Sequence, residues 1–216
     1  MKPYLVTTPR LVQWLFPQRV WAFSRKEPNV FLTFDDGPIP EVTPWVLEVL
    51  RKYNAKATFF CIGDNIRKHP EVYKQILAEG HSVGNHTFHH LKGTETSIED
   101  YIADVEKCEH ELLNQQDSNS KNNLFRPPYG KMTAAQAKRL QDKGYQIVMW
   151  DVLSADFDVD ISEEKCLQNV LQNIKKGSVV VFHDSLKAEK NLRYVLPKVL
   201  DSLKNRNLNL NGLFHR

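Results

Sequence analysis

Short apolar runs alternate along the chain with segments of helix-like patterning. The runs predict buried β-strands over residues 30–34, 57–62, 81–84, 124–126, 146–150 and 178–182. The intervening segments predict α-helices over residues 41–53, 70–79, 97–113, 134–143, 162–175 and 191–204. Strands that alternate with helices in this way indicate an α/β fold with a largely parallel sheet, either open or closed as a barrel. A chain of 216 residues suits a single domain.

Two stretches fall outside this alternation. Residues 1–28 precede the first strand and contain several large apolar residues, namely Trp14, Leu15, Phe16, Val20, Trp21 and Phe23. Such residues can dock on a membrane surface, but interfacial helices usually carry a longer apolar face. We therefore expect residues 1–28 to form an N-terminal extension that packs on the main domain. The polar residues 115–123 predict a solvated loop.

Composition narrows the class of protein only a little. A hydrophobic content of 41% and a charged content of 25% are ordinary for a globular domain. The net charge of +3 and the isoelectric point near 8.6 are too mild to indicate binding to nucleic acid. The oligomeric state does not follow from the sequence, although a monomer is favoured.

Cysteine usage and hydropathy bear on the compartment. Cys61, Cys108 and Cys166 lie far apart without the spacing of a zinc site, which predicts reduced and buried thiols. No run approaches the roughly 20 apolar residues of a membrane span, so we expect no transmembrane segment. The first 28 residues also lack the pattern of a signal peptide, and we expect a cytoplasmic protein.

Polar residues recur where the predicted strands end. They follow or end the first, third, fourth, fifth and sixth strands, in the order Asp35 with Asp36, His86, Arg126, Asp156 and His183. In parallel α/β folds the chemistry gathers at the carboxyl ends of the strands. We therefore expect these side chains to converge on one face of the sheet.

The residue types at these strand ends favour a metal site. Of the adjacent Asp35 and Asp36, one can hold a metal while the other stays free as a base. His86 and His90 would share one face of a helical turn, and one carboxylate with two imidazoles is a common ligand set for a divalent metal. Taken alone, the carboxylates fit a turn and the histidines fit a solvated surface, but their combination favours the metal site.

Four motifs in fixed order resemble a known family. They are TFDDGP at residues 33–38, HTFHH at 86–90, RPPYG at 126–130, and His183 after an apolar strand. The series resembles the polysaccharide deacetylases of carbohydrate esterase family 4, which include chitin, chitooligosaccharide and peptidoglycan deacetylases. The resemblance spans residues 29 to about 203. It implies a distorted (β/α) barrel of parallel strands, with residues 29–216 as the catalytic domain.

The resemblance also implies a role for individual residues. Asp36, His86 and His90 match the metal ligands. The expected metal is zinc, and cobalt and nickel are the other candidates. Asp35 matches the catalytic base, Arg126 the arginine that holds it, and Tyr129 the donor of a backbone N–H to the oxyanion. His183 matches the catalytic acid and Asp156 the carboxylate that orients it. His89 lies three residues from His86 and could reach a metal on a helix, but the family match favours His90.

The implied substrate-binding residues are Tyr129, Trp150, Phe157 and Val181. Leu153 stands where many relatives have aspartate, and Phe157 stands where many have tryptophan. Val181 replaces the usual leucine near the acetyl methyl group. These changes leave the implied metal ligands, base and acid intact.

The resulting hypothesis is a metal-dependent hydrolase that removes N-acetyl groups from an amino-sugar polymer or oligomer, such as a chitooligosaccharide or peptidoglycan. One alternative is a sugar-binding protein that has lost turnover, although degenerate members usually lose a ligand or the base, and neither is missing here. The other alternative is an O-acetyl esterase that uses the same metal site. The region of Leu153 and Phe157 leaves that alternative open.

Overall fold

The computed structural model of the protein describes residues 4–114 and 123–213. The strands, in chain order, are β1 Asn29–Asp35, β2 Thr58–Cys61, β3 Ser82–Asn85, β4 Leu124–Phe125, β5 Gln146–Ile147, β6 Val152–Leu153, β7 Val179–His183 and β8 Asn209–Leu210. The helices are α1 Arg10–Leu15, α2 Thr43–Lys52, α3 Gly63–Lys68, α4 Pro70–Ala78, α5 Ile98–Asn114, α6 Ala134–Asp142, α7 Glu163–Leu171 and α8 Glu189–Asn205, with short 3₁₀ helices at Gly93–Glu95 and Pro128–Gly130. The loop predicted over residues 115–123 lies outside the described residues, except for Asn123.

A parallel sheet organises the molecule. Its strand order is β5-β4-β3-β2-β1-β7-β6, and β8 pairs with the start of β1. Strand β1 lies at the centre and is buried along almost its whole length, as expected for an apolar run covered by helices on its outer face. The predicted distorted barrel of parallel strands in a single domain is confirmed, with the ladder open between β5 and β6.

Residues of the N-terminal segment bridge the two open edges. Val20 pairs with Val148 just after β5, and Thr7 pairs with Val152 in β6. Trp21 is buried in an apolar cluster with residues of α5 and α6, whereas Trp14 remains 74% exposed. Large apolar residues of this segment therefore divide between packed and exposed positions.

The predicted strand over residues 146–150 is shorter in the structure. Only Gln146–Ile147 pairs with β4, after which the Met149 N–H donates to the Val20 carbonyl at 2.7 Å. The chain then forms β6 beside β7, a strand that the sequence analysis did not predict. From Val148 onward the predicted run thus pairs with a segment more than 120 residues away in sequence.

Helix termini follow the local sequence. Thr133 and Gln136 form a reciprocal capping box at the start of α6, and the Ser162 hydroxyl accepts the Lys165 N–H at the start of α7. Such caps satisfy N–H groups that a helix leaves unpaired. The buried cysteines Cys61, Cys108 and Cys166 are free thiols, as expected.

Candidate active site

Three potential metal ligands converge beyond the ends of β1 and β3. One ligand atom each from Asp36, His86 and His90 lies within 4.8 Å of the other two. Asp36 Oδ1 lies 3.3 Å from His90 Nε2 and 3.7 Å from His86 Nε2. One carboxylate and two imidazoles at this spacing fit the donor set of a divalent cation such as zinc.

The two histidines do not share a helical turn, so this part of the prediction is wrong. Residues 86–92 form no helix, and the left-handed backbone of Thr87 and His90, with φ of 63° and 57°, turns the chain instead. Asp36 also has a positive φ of 83°. Non-glycine residues in this conformation are strained and cluster at functional sites. Local turns, and not a helix, bring the two imidazole rings together, with their centroids 5.1 Å apart.

Hydrogen bonding fixes the tautomer of His86. Its Nδ1 lies 2.8 Å from the Arg126 carbonyl oxygen, which can only accept, so Nδ1 carries the proton. Burial lowers the pKa of His86 to about 4 because it disfavours the charged imidazole. The Nε2 atom that faces Asp36 therefore keeps a lone pair for a metal.

His89 points to a different partner. Its Nδ1 lies 2.5 Å from Asp104 Oδ1, and the N–H groups of Phe88 and His89 donate to Asp104 Oδ2. Asp104 belongs to α5 and is buried. His89 thus anchors the turn that carries His86 and His90, and its ring is held away from the three converging atoms.

Asp36 is held as a carboxylate. Burial favours its neutral form, but the hydrogen bond from His90 and the charges of the nearby histidines outweigh it and keep the pKa well below the usual range. Asn65 donates to the Asp36 carbonyl at 2.7 Å and fixes the backbone. A permanent negative charge is what a cation ligand requires at neutral pH.

Asp35 forms a buried ion pair with Arg126. The Arg126 Nη1 lies 2.7 Å from Asp35 Oδ1 and 2.7 Å from the Thr33 hydroxyl. Its other nitrogens donate to the carbonyls of Val148 and Met149. Every side-chain nitrogen of this fully buried guanidinium has a hydrogen-bond acceptor, and the Asp35 carboxylate supplies the opposite charge. The pair therefore fixes the orientation of the Asp35 carboxylate.

His183, which ends the neighbouring strand β7, forms a second pair with Asp156 from the loop after β6. The His183 Nδ1 lies 2.8 Å from Asp156 Oδ1, and its backbone N–H donates to Asp156 Oδ2 at 2.8 Å. Burial disfavours the imidazolium, but the charge and hydrogen bond of Asp156 outweigh it and raise the pKa of His183 to about 9. Because Asp35 and His183 are register partners on β1 and β7, the two pairs face one space.

That space is a pocket of about 360 Å³. The residues predicted to bind substrate, Tyr129, Trp150, Phe157 and Val181, all line it, together with Leu153. Tyr129 is 60% exposed and has a left-handed φ of 58°. No residue in the described part of the chain accepts a hydrogen bond from the Tyr129 N–H, so this donor is open to a ligand.

Tyr4 and Lys187 also line the pocket, although no sequence pattern predicted them there. Tyr4 belongs to the N-terminal segment, which stands outside the strand–helix alternation and carried no signal. The acidic pattern of Asp158 and Asp160 predicts a solvated loop. For Asp158 this prediction is wrong, since Asp158 is buried and accepts the Tyr4 hydroxyl at 3.1 Å, whereas Asp160 is exposed.

Asp151 and Asp184 take supporting positions. Asp151 accepts hydrogen bonds from the Ser178 hydroxyl and the Val179 N–H at the start of β7, and it does not line the pocket. Asp184 is buried, and its backbone N–H donates to the Asp35 carbonyl at 3.0 Å. It accepts the Gly37 N–H at 3.1 Å and lies 2.6 Å from the Thr43 hydroxyl.

Comparison with known proteins identifies the family. The sequence profile described as polysaccharide deacetylase matches residues 24–148, more than half of the chain. The chain belongs to the polysaccharide deacetylase family. Within the described residues, no helix is both long enough and apolar enough to cross a membrane.

Members of this family with assigned activities are similar over most of the chain. A peptidoglycan-N-acetylglucosamine deacetylase of Bacillus cereus is 36% identical over 192 residues, which cover 85% of each sequence. A chitooligosaccharide deacetylase of Azorhizobium caulinodans is 32% identical over 164 residues, 74% of this chain and 76% of that protein. The crystal structure of a peptidoglycan N-acetylglucosamine deacetylase in complex with 4-naphthalen-1-yl-N-oxidanyl-benzamide superposes with a TM-score of 0.87 at 31% identity, covering 95% of both chains.

Proposed function

We propose that this member of the polysaccharide deacetylase family is a metal-dependent hydrolase that removes N-acetyl groups from an amino-sugar oligomer or polymer. The observation that carries the proposal is the meeting of three potential metal ligands, a base held by arginine, and a histidine–aspartate pair around one pocket. Each of these groups supports one step of amide hydrolysis.

Asp36, His86 and His90 would hold the metal. The fit rests on the closeness of their ligand atoms and on the free Nε2 lone pair of His86. A divalent cation supplies Lewis acidity, which polarises a carbonyl and lowers the pKa of water from about 15.7 toward about 7. We propose zinc as this cation, with cobalt and nickel as substitutes that the same donors accept.

Asp35 would act as general base. Its ion pair with the fully buried Arg126 orients one oxygen, so the second oxygen can take a proton from the attacking water. The carboxylate of the neighbouring Asp36 contacts the imidazoles of His86 and His90 instead. The two adjacent carboxylates thus divide the roles of base and ligand.

The Tyr129 N–H would stabilise the oxyanion. This N–H has no acceptor in the described structure, and the residue lines the pocket beside Pro127 and Gly130. A fixed donor at the place where negative charge develops stabilises a tetrahedral intermediate more than the ground state.

His183 would protonate the departing amine. Its raised pKa keeps it an imidazolium at neutral pH, and Asp156 fixes the Nδ1–H so that Nε2–H is the group left to donate. An amine leaves slowly unless it is protonated, so an acid on this side of the pocket completes the reaction.

The walls of the pocket suit an acetylated sugar. Leu153 and Val181 provide apolar contacts for an acetyl methyl group, while Trp150 and Phe157 provide aromatic surface. Together with the activities named for the relatives from Bacillus cereus and Azorhizobium caulinodans, these walls support a substrate of the peptidoglycan or chitooligosaccharide type.

The decisive experiment is acetate release from N-acetylglucosamine oligomers. Protein stripped of metal should be inactive, and reloading with zinc should restore release. Asp35→Asn should keep its zinc and lose a factor of roughly 10²–10⁴ in rate, the usual contribution of a general base. No release by zinc-loaded wild type, with release from an O-acetylated sugar, would replace the amidase by an esterase, and no release from either would leave a binding protein.

A further inference from the structure

The segment that precedes the barrel reaches the active-site pocket. The Leu153 N–H donates to the Val6 carbonyl at 2.8 Å, and the Thr8 N–H donates to the Asp151 carbonyl at 3.1 Å. The Thr8 hydroxyl also donates to the Trp150 carbonyl at 2.8 Å. These bonds attach residues 6–8 antiparallel to β6, which places Tyr4 beyond the carboxyl end of that strand.

Both ends of the Tyr4 side chain have partners at the pocket. The hydroxyl donates to Asp158 Oδ2 at 3.1 Å, and Asp158 is buried, with its carbonyl bonded to Asn191 of α8. The ring meets the Phe157 ring edge-on, with centroids 5.8 Å apart. The side chain is therefore fixed against a rigid part of the barrel.

Phe157 in turn touches the catalytic acid. Its ring centroid lies 5.0 Å from that of His183, again edge-on. Tyr4, Phe157 and His183 thus form a continuous row along one wall of the pocket. Any amine that receives a proton from His183 must lie next to this row, and so must the sugar ring that carries it.

We propose that Tyr4 and Phe157 together form a binding subsite for the pyranose ring whose acetamide is cleaved, so that the N-terminal segment is a specificity-determining part of the active site. This inference rests on the proposed deacetylase function for the identity of the sugar. The axial C–H groups of a pyranose form an apolar face, and aromatic side chains with fixed rings bind such faces at a low cost in entropy. The hydrogen bond to Asp158 fixes the Tyr4 ring, and the Phe157 ring belongs to the barrel itself.

Binding measured without turnover tests the subsite. In zinc-loaded Asp35→Asn protein, the dissociation constant for tetra-N-acetylchitotetraose is measured by calorimetry with and without Tyr4→Ala. We expect Tyr4→Ala to weaken binding about tenfold. Tyr4→Phe, which keeps the ring and loses the bond to Asp158, should weaken binding less. Trp14→Ala removes an exposed aromatic residue of the same segment, away from the pocket, and should leave the constant unchanged.

Failure of this inference is distinguishable from failure of the proposed function. If Tyr4→Ala and Tyr4→Leu both bind the tetrasaccharide within twofold of the parent, the subsite is wrong even when wild type releases acetate. If wild type releases no acetate but Tyr4→Ala still weakens tetrasaccharide binding, the subsite stands and the deacetylase is wrong. Tyr4→Leu keeps an apolar side chain, so it removes the ring with less risk of loosening residues 6–8.

Discussion

Asp156 sets the proton affinity of His183. Because Asp156 raises the pKa of His183 to about 9, the proposed acid is charged at neutral pH and loses its proton as the pH rises through that value. A bound cation would oppose the imidazolium, so we expect the metal-loaded protein to lose activity at or below a pH of about 9. The same raised pKa contributes stability that is complete below the unfolded value near 6.5 and is lost as the pH rises through about 9.

We predict that Asp156→Asn moves the alkaline limb of kcat/KM to lower pH by about one to two pH units, because the stabilising charge is gone while the hydrogen-bond acceptor remains. The measurement is a pH–rate profile of acetate release. Asp160→Asn, which removes an exposed carboxylate of the same loop, should leave the profile in place. An unchanged alkaline limb in Asp156→Asn would mean that another group supplies the proton.

Substitutions at His86 and His89 distinguish the proposed metal ligand from its neighbour. His86→Ala removes a buried imidazole with a fixed tautomer, so zinc bound per chain should fall, along with the rate. His89→Ala removes a ring held by Asp104 and should keep one zinc per chain, with affinity lowered by at most about tenfold through the loosened turn. The zinc content of each variant after dialysis distinguishes the two roles. Full occupancy in His86→Ala together with loss in His89→Ala would reverse the assignment.

The sequence predicted the placement of these residues better than their local conformation. The end of β1 can be predicted from the sequence because this buried, largely apolar strand stops at Asp35. The turn that carries His86 and His90 cannot be predicted in the same way, because Asp104 accepts the N–H groups of Phe88 and His89, between the left-handed Thr87 and His90. That carboxylate comes from α5, and no spacing within residues 86–90 encodes it.

At the scale of elements, Asp184 joins the end of β7 to the turn after β1 and the start of α2. Its carboxylate lies so close to Gly37 that a Cβ there would come within 2.0 Å of Oδ2, so only glycine fits. Burial raises the pKa of Asp184 to about 8, against the hydrogen bonds from Thr43 and Gly37 that favour the charged form. A carboxyl group whose pKa is raised on folding contributes stability that is lost as the pH rises from about 4 to about 8.

We predict that Asp184→Asn removes this pH dependence. The amide oxygen can still accept the Gly37 N–H, and the amide nitrogen can donate to the Thr43 oxygen. In buffer with a chelator, the melting temperature of the variant relative to wild type should rise by a few degrees between pH 5 and pH 8.5. Parallel melting curves across this range would show that Asp184 keeps an ordinary pKa in the folded protein.

For the whole molecule, the N-terminal segment is the part whose contacts were least predictable. The alternation of strands and helices in residues 29–210 follows from local patterns. It predicted a largely parallel sheet, and the resemblance to the polysaccharide deacetylases implied the barrel. The closure between β5 and β6 depends on Thr7, Val20 and Trp21, which pair or pack with residues far along the chain. The apolar runs at residues 11–16 and 20–23 do not show from sequence which of their side chains are buried in the folded protein.

Trp21 and Trp14 test how far this segment belongs to the core. Trp21 is 8% exposed, packs in the cluster with α5 and α6, and donates from Nε1 to the Phe16 carbonyl at 3.1 Å. Trp21→Ala should therefore lower the free energy of unfolding by about 3–5 kcal/mol, the usual cost of deleting a buried large aromatic side chain. Trp14 is 74% exposed, and Trp14→Ala should stay within about 0.5 kcal/mol of wild type. Urea titrations of both variants measure the difference, and equal midpoints would mean that the barrel is stable without its N-terminal closure.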